Sequence, residues 1–246
     1  MYFRASILLL FFLSFPKPSI AQTEVDYQHL VWYGLFFTVP VARDWTVFSQ
    51  IQERHFISPF AQHQLSVKSR IQKKIGNGWS ASTGIGYLLQ SPDNPRSGSN
   101  SVEREFRIDV EGGYEKNFEK LTLDQRLRVE TRLFPKEIQE EPVLDEVDYF
   151  NSFRFRYRVL TYYLIWQISA DQEMKVLAGD EVMFQAGKTP NYSFDQNRLM
   201  LGVDLKMSAK LKLELTYQKW VDKRQSGNYY NRNVVRLTAN YQLLER

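Results

Sequence analysis

Alternation between apolar and polar residues over long segments is the feature that most constrains how this chain folds. The segment 152–160, SFRFRYRVL, carries an arginine at every second position: Arg154, Arg156 and Arg158. Apolar side chains fill the positions between them: Phe153, Phe155, Tyr157 and Val159. Successive side chains of a β-strand point to opposite faces. The segment therefore predicts a strand with one cationic face and one apolar face.

The same period of two recurs along the whole chain, and no long helical pattern competes with it. We predict strands at residues 28–38, 45–56, 61–73, 79–90, 103–116, 121–134, 149–161, 174–186, 195–207, 211–221 and 231–244. Many of these segments exceed the usual globular strand of about 5–6 residues. They reach the roughly 9–11 residues that a tilted strand needs to cross a bilayer.

The connections and the aromatic residues follow the same plan. Tight connections such as 76–78 alternate with longer polar ones such as 91–102, which is typical of outer-membrane barrels with turns at one end and loops at the other. Aromatic residues gather near the predicted strand ends, as in the girdles of membrane proteins. They are Trp45, Trp79, Tyr114, Phe134, Tyr149, Phe150, Trp166, Tyr217, Trp220, Tyr229 and Tyr230.

Together these patterns predict an all-β fold, an antiparallel up-and-down transmembrane β-barrel of about 12 strands, formed by residues 22–246 as one domain. Single-chain bacterial barrels favour even strand numbers. Residues 22–38 would supply the extra strand, and if 28–38 is not a full strand the number is ten. In the alternative, a soluble exported sandwich or lipocalin-like barrel, the apolar faces would pack inside.

The first 21 residues are typical of a cleavable signal peptide. Arg4 precedes an apolar core at residues 7–13, and Ser19 and Ala21 provide small residues before Gln22. The apolar run is shorter than the roughly 20 residues of a membrane-spanning helix. The chain is therefore predicted to be exported and to reside in the bacterial outer membrane, in contact with outer-membrane lipid.

Composition excludes several classes of protein. The chain has no cysteine, so a disulfide scaffold, a thiolate nucleophile and a cysteine-bound metal are excluded. Its 32 Lys and Arg residues nearly balance 28 Asp and Glu residues, which gives no electrostatic case for nucleic acid binding. We expect no cofactor, while a small-molecule or ion ligand and the oligomeric state stay open.

The candidate functional residues are charged side chains on the polar faces of the strands. We predict that ten of them line the lumen: Arg107, Glu111, Arg126, Arg128, Glu130, Arg132, Arg154, Arg156, Arg158 and Glu181. They form either an anion-attracting lumen or a structural ladder in which arginine pairs with glutamate on neighbouring strands. Glu130 lies within its own run of arginines, which favours the structural ladder.

No catalytic or metal-binding residue is assigned from the sequence. His55 and His63 flank a short loop and are candidates for a two-histidine metal site, but Glu53 is the only nearby carboxylate, which favours plain loop histidines. The acidic run 137–146 is either a cation chelator or, as we favour, a solvated loop. Barrel lipid hydrolases use a serine activated by a histidine. None of the three histidines has a serine two residues later.

Several motifs follow one another in a characteristic order: Trp32, Asp44-Trp45, Gln52-Glu53-Arg54, the run from Gln125 to Arg132, Phe155 to Arg158, and Gly179 to Phe184. In this order they resemble an uncharacterised family of bacterial outer-membrane barrels, a DUF2490-like domain of unknown function. The resemblance covers nearly all residues after the signal peptide and implies a barrel fold and an outer-membrane location. It implies no activity, because the family has no established biochemical role.

The expected function is that of an outer-membrane β-barrel without an assigned specific role, a narrow pore or a structural membrane protein. Side chains nearly fill the interior of a barrel of this size, so a wide aqueous pore is not expected. Two alternatives stay open: an outer-membrane lipid hydrolase, and a soluble exported β-barrel or sandwich that binds a ligand. Between enzyme and non-enzyme, we favour the non-enzyme.

Overall fold

Eleven β-strands and no helix make up the described part of the computed structural model, which covers residues 24–135, 149–186, 194–224 and 227–243. The strands are β1 (Val25–Ala42), β2 (Trp45–Phe56), β3 (Ala61–Gly76), β4 (Trp79–Gln90), β5 (Glu103–Asn117), β6 (Leu121–Pro135), β7 (Tyr149–Ser169), β8 (Gln172–Ala186), β9 (Phe194–Lys206), β10 (Leu211–Lys223) and β11 (Tyr229–Gln242). Within these ranges no helix is long and apolar enough to cross a membrane.

Consecutive strands pair antiparallel around the circumference and close into a barrel. The closing pair, β1 with β11, is parallel and runs from Val25 opposite Tyr229 to Thr38 opposite Gln242. The predicted all-β barrel is confirmed, but it is not antiparallel throughout. The expected number of twelve strands, or ten, also differs from the eleven that the described residues form.

Parity explains the parallel closure. Strands that alternate in direction meet antiparallel on closing only when their number is even. The strand β1 is one continuous strand of 18 residues, so residues 25–42 supply neither an additional strand nor a partial one. With an odd number of strands one neighbouring pair must be parallel, and β1 and β11 form that pair.

The longest strand, β7, extends over 21 residues, whereas the sequence pattern predicted a strand at 149–161. Its last part continues through two register shifts opposite β8, one between Leu164 and Trp166 and one between Gln167 and Ser169. Such irregularities let a strand bend without ending. Residues 162–169 therefore prolong β7 instead of forming a separate strand.

The two ends of the barrel differ in their connections. The turn end carries the tight connections at residues 43–44, 77–78, 118–120, 170–171 and 207–210. The loop end carries the connections at 57–60 and 91–102. β1 begins at the loop end and β11 ends at the turn end. The described chain therefore starts and finishes at opposite ends of the barrel.

The apolar and charged halves of each strand face opposite sides of the wall. Ile85, Val110 and Leu201 point outward and are 66%, 62% and 62% exposed. Charged residues such as Glu105 and Arg232 are buried inside. The described barrel therefore has an apolar outer surface and a largely ionic interior, the reverse of a water-soluble domain.

The turn between β3 and β4 requires glycine at position 78. Gly78 has a φ of +85°, and a Cβ atom there would overlap the backbone oxygen of Glu115. We expect Gly78→Ala to lower the free energy of unfolding by more than the roughly 1–2 kcal/mol that a left-handed backbone costs a non-glycine residue. Urea titration of the refolded barrel measures this loss.

The matched control is Gly98→Ala. Gly98 has a φ of +70° but open space around its Cα, so the substitution carries the backbone cost without the overlap. Equal losses in the two variants would contradict the claim that the close approach to Glu115 demands glycine.

Candidate functional site

One cavity of about 1780 Å³ occupies the barrel interior and reaches both ends of the described structure. Asp93 and Tyr230 line it at the loop end, and Lys210 and Gln242 line it at the turn end. Among the described residues, nineteen Lys or Arg and nine Asp or Glu line this cavity. The lining therefore carries an excess of positive charge.

The ten charged residues named from the sequence lie on four neighbouring strands, β5 to β8, with their side chains inside the barrel. Eight line the main cavity: Arg107, Arg126, Arg128, Arg132, Arg154, Arg156, Arg158 and Glu181. Glu111 lines a smaller cavity of about 420 Å³ at the turn end. Glu130 has 0% of its surface exposed. The alternation of these strands thus brings the ten groups to one side of the lumen wall.

Glu130 and Glu181 are the centre of an ion-pair network across β6, β7 and β8. Arg156 lies between them and donates to Glu130 at 2.7 Å and to Glu181 at 2.8 Å. Arg126 donates to the other oxygen of Glu181 at 2.8 Å, and Arg128 donates to Glu130 at 3.4 Å. Charge-assisted hydrogen bonds of this kind are stronger than neutral ones. The network thereby satisfies buried charges that would be costly to enclose alone.

Sequence reasoning missed several carboxylates that complete the network. Glu105 accepts hydrogen bonds from Arg107 at 2.6 Å and from Arg132 at 2.5 Å. Asp195 forms an ion pair with Arg154 at 2.7 Å. Glu105 shares one face of β5 with Arg107, so the alternation was a sufficient signal for it. Asp195 is the first residue of its predicted segment, where the alternation does not indicate which face of the strand the side chain occupies.

The carboxylates are distributed unevenly around the lumen. Strands β2, β3 and β4 contain a single carboxylate, Glu53, and its side chain lies on the outer face, where Gln62 donates to it at 2.6 Å. The same strands direct Arg54, Lys68 and Arg70 into the cavity. One side of the lumen is therefore densely ion-paired, and the other is cationic.

Two tryptophans enter the lumen toward the loop end. Trp32 and Trp220 pack edge to face with their ring centroids 5.5 Å apart. The guanidinium groups of Arg54 and Arg198 lie 4.0 Å and 5.4 Å from the Trp32 centroid, close enough for cation–π contacts. The expectation that Trp220 belongs to an interfacial girdle is wrong, because its side chain is buried inside the barrel. Phe134, Tyr229 and Tyr230, which were assigned to the same girdle, likewise line the cavity.

A loop folds onto the loop end of the cavity through Asp93. Arg232 donates to the Asp93 carboxylate at 3.1 Å, Arg224 also pairs with it, and Gln28 donates to its backbone oxygen at 2.9 Å. Burial alone would raise the pKa of the Asp93 carboxyl, but His63, Arg232 and Arg224 together hold this pKa well below its usual range. Asp93 therefore stays ionised at neutral pH and holds the loop against β1 and β11.

A sequence profile of the family described as "Protein of unknown function (DUF2490)" matches residues 30–231. The match extends from β1 into β11 and so covers nearly the entire barrel. The chain belongs to this family. Comparison with curated proteins and with solved structures finds no match. Membership in DUF2490 confirms the resemblance read from the motifs and brings no activity with it.

The histidines of this DUF2490 chain lie on both sides of the barrel wall. His55 is on the outer face, 3.2 Å from the Tyr33 hydroxyl and 3.1 Å from Glu53. His63 is 2% exposed and packs inside against Trp220, with ring centroids 6.0 Å apart. The two rings cannot share a metal ion, because the wall separates them. The acidic run 137–146 lies outside the described residues, and within those residues no group of three or more His, Asp or Glu is arranged to hold a metal.

Removing the carboxylate at the centre of the network should destabilise the barrel strongly. Glu130→Gln removes one carboxylate partner from Arg156 and one from Arg128, which keep Glu181 and Glu111. Breaking a buried pair outright costs about 3–5 kcal/mol. We expect a loss of up to this size in the free energy of unfolding, measured by urea titration of the refolded barrel and followed by tryptophan fluorescence.

Asp171→Asn is the matched control. Asp171 pairs with Lys206 at 3.1 Å at the turn end, where its side chain is mostly exposed. Exposed pairs contribute only about 0–1 kcal/mol. If Glu130→Gln were as mild as Asp171→Asn, the network would not be the stabilising centre of the interior.

Proposed function

We propose that this protein is an outer-membrane β-barrel whose narrow lumen favours anions. The observation that carries the proposal is the distribution of side chains across the barrel wall, with apolar groups outside and ionic groups inside. Its membrane location and its preference for anions are supported by separate features of the same wall.

The outer surface supports a location in lipid. Outward-facing aliphatic residues occur on strands all around the barrel, including Leu35, Ile51, Val67, Ile85, Val110, Leu127, Val176, Leu201, Leu215 and Leu237. In water such a surface would promote aggregation. In a bilayer it matches the apolar band of outer-membrane barrels, whose charged residues face the lumen.

Aromatic residues at both ends support the same location. Trp45, Trp79 and Trp166 are exposed near the turn end, and Tyr27 and Phe60 are exposed near the loop end. Tryptophan and tyrosine are enriched at the two membrane–water interfaces, because one part of each ring is apolar and another part is polar. A soluble carrier barrel has no physical need for two such rings of exposed aromatic residues.

The lumen supports a preference for anions. The cavity reaches both ends of the described barrel, and Lys and Arg outnumber Asp and Glu in its lining by about two to one. A cleft with one dominant sign of charge concentrates ions of the opposite sign. The ion-paired side of the lumen keeps the wall rigid, so the structural ladder and the anion-attracting lumen are two sides of one interior.

The hydrolase alternative finds less support among the described residues. The ring nitrogens of the three histidines make polar contacts with few residues. His29 contacts Asn233, His55 contacts Tyr33 and Glu53, and His63 contacts Asp93. Within the described residues no serine or threonine hydroxyl hydrogen-bonds to a histidine ring, as nucleophile activation requires. At His55, Tyr33 and Glu53 contact the same ring nitrogen, so the ring does not link a base to a nucleophile through its two nitrogens.

Single cysteines test the membrane location, because the native chain contains none. Asn100 and Glu24 lie at the loop end and Glu119 lies at the turn end, all at exposed positions. The three variants are Asn100→Cys, Glu24→Cys and Glu119→Cys. Outer-membrane barrels place long loops outside the cell and short turns in the periplasm. We expect a membrane-impermeant maleimide to label positions 100 and 24 on intact cells, and position 119 only after the outer membrane is permeabilised.

The three variants also control one another. Labelling of all three only after permeabilisation would contradict the membrane location and support a soluble exported protein. Labelling of position 119 alone on intact cells would contradict the proposed orientation, but it would remain consistent with a barrel that spans the outer membrane. Position 24 must give the same labelling result as position 100 in every case, because both lie at the same end of the barrel.

The anion preference is tested in planar bilayers with the purified full-length barrel under a KCl gradient. We expect small conductance steps whose reversal potential indicates permeation by chloride. Lys68→Glu, inside the lumen, should reduce this anion preference. Lys219→Glu makes the same change on the outer face, where Lys219 donates to Asn233 at 3.0 Å, and should leave the preference unchanged. Absence of conductance, or cation selectivity in the native protein, would contradict the proposed pore.

A further inference from the structure

A continuous part of the lumen wall on β2, β3 and β4 lacks carboxylates. The single carboxylate of these strands, Glu53, faces outward, and the inward positions around the centre of β2 and β3 hold Gln50, Gln52, Gln64 and Ser66. We call these inward positions, together with Arg54 and Lys68, the β2–β3 wall. It offers hydrogen-bond donors and positive charge with no anionic group of its own.

Arg54 is held in this wall by neutral groups. Its guanidinium donates to Gln52 at 3.0 Å and 2.8 Å and to Gln64 at 2.7 Å, and it stacks on Trp32. Among the enclosed arginines that the structure describes, the others each have a carboxylate partner, as Arg198 has Glu181 at 3.6 Å. Arg54 is therefore fixed in position while its charge stays uncompensated.

Among the described residues Lys68 has no direct partner, and Glu130 compensates its charge only through space. Within the described residues its ammonium group forms no hydrogen bond and no ion pair, although it lines the main cavity. Gly86 lies opposite on β4, and a Cβ atom there would come within 3.1 Å of the Lys68 side chain. The glycine thus leaves the long lysine side chain room beside the wall.

Arg54 and Lys68 border the same region of the lumen. Arg54 is opposite Gln64 and Lys68 is opposite Gln50, so their Cα atoms are offset by four residues, about 13 Å along the strands. The long side chains of Arg54 and Lys68 can reach toward each other across this distance. Arg107 and Arg156 are among the charges that act most strongly on both groups, so both face the same region of the lumen.

A second, independent feature lies between the two cations. Ser66 pairs with Gln52 in the register of β2 and β3, and its side chain is 0% exposed. Its hydroxyl has no hydrogen-bond partner. Buried polar groups are normally satisfied, and one without a partner requires an explanation such as a bound ligand or solvent. A ligand that accepts hydrogen bonds would neutralise Arg54 and Lys68 together, since both line the cavity on either side of the buried Ser66.

We propose that the β2–β3 wall binds a phosphate-class oxyanion from solution between Arg54 and Lys68. This deepens the proposed anion-favouring lumen and rests on it, by naming the site and the ligand chemistry. A guanidinium fork and an ammonium group offer several donors with different directions, which suit an anion with several acceptor oxygens. Chloride, with one spherical charge, gains less from such an arrangement.

Calorimetric titration of the full-length barrel, folded in zwitterionic detergent at low ionic strength, tests the site with sodium phosphate and then sodium sulfate. We expect saturable binding with one site per barrel. Lys68→Gln and Arg54→Gln should each weaken binding roughly tenfold, because each removes charge-assisted hydrogen bonds to the anion. Sodium chloride at matched ionic strength should give no saturable signal.

Lys212→Gln is the matched control, since Lys212 lines the same cavity but already pairs with Asp204 at 2.6 Å. It should bind phosphate within about twofold of the native protein. Lys68→Gln has a further signature: removing an enclosed charge that lies among Arg107, Arg156 and Arg128 and has no direct ion pair within the described structure should raise stability in phosphate-free buffer. A lysine with only a structural role would lower it.

Three results would overturn the site: no saturable phosphate binding by the native barrel, equal weakening by Lys212→Gln, or saturation by chloride at the same concentration. The titration needs no conductance and no cell envelope. Phosphate binding without conductance would therefore support the proposed site and contradict the proposed pore. Conductance without phosphate binding would contradict only the site.

Discussion

Enclosing many charges of both signs inside one barrel is the physical constraint on which this structure depends. An ionised side chain that leaves water without a partner costs several kcal/mol, so arginine and carboxylate must meet with good geometry. Glu130, Arg156 and Glu181 meet across the three consecutive strands β6, β7 and β8, with the paired positions 26 and 25 residues apart along the chain. A slip of one residue in any of these strands would turn its charges outward and its apolar residues inward. The ion pairs and the apolar outer face therefore fix the same register.

This requirement separates the barrel into two parts with different consequences. On β5 to β8 the charges neutralise one another and form a rigid wall, whereas on β2 to β4 neutral amides hold Arg54 and nothing in the described residues pairs with Lys68. Full pairing stabilises the fold, and incomplete pairing leaves chemistry available for a ligand. The structural ladder and the proposed anion site thus follow from one uneven distribution of carboxylates.

Closure of the barrel adds a constraint that acts on topology. Eleven strands alternating in direction leave β1 and β11 parallel, with fourteen residue pairs in register from Val25 to Thr38. Parallel pairing is slightly weaker per residue than antiparallel pairing. Over its fourteen pairs the seam still closes the barrel, so neither β1 nor β11 leaves an unpaired strand edge. The same parity sends the two described ends of the chain to opposite ends of the barrel.

The sequence by itself determined the strands and their faces. The segments predicted at 45–56 and 79–90 coincide with β2 and β4, and the alternation identifies Arg126 and Arg128 as neighbours on one face. This succeeds because a period of two is a local property of an extended chain. Only the tertiary structure decided the parallel closure, the inward position of Trp220, and the pairing of Arg126 with Glu181, 55 residues away. These depend on how many strands close the barrel and which side chains meet across it, and neither is encoded in any single segment.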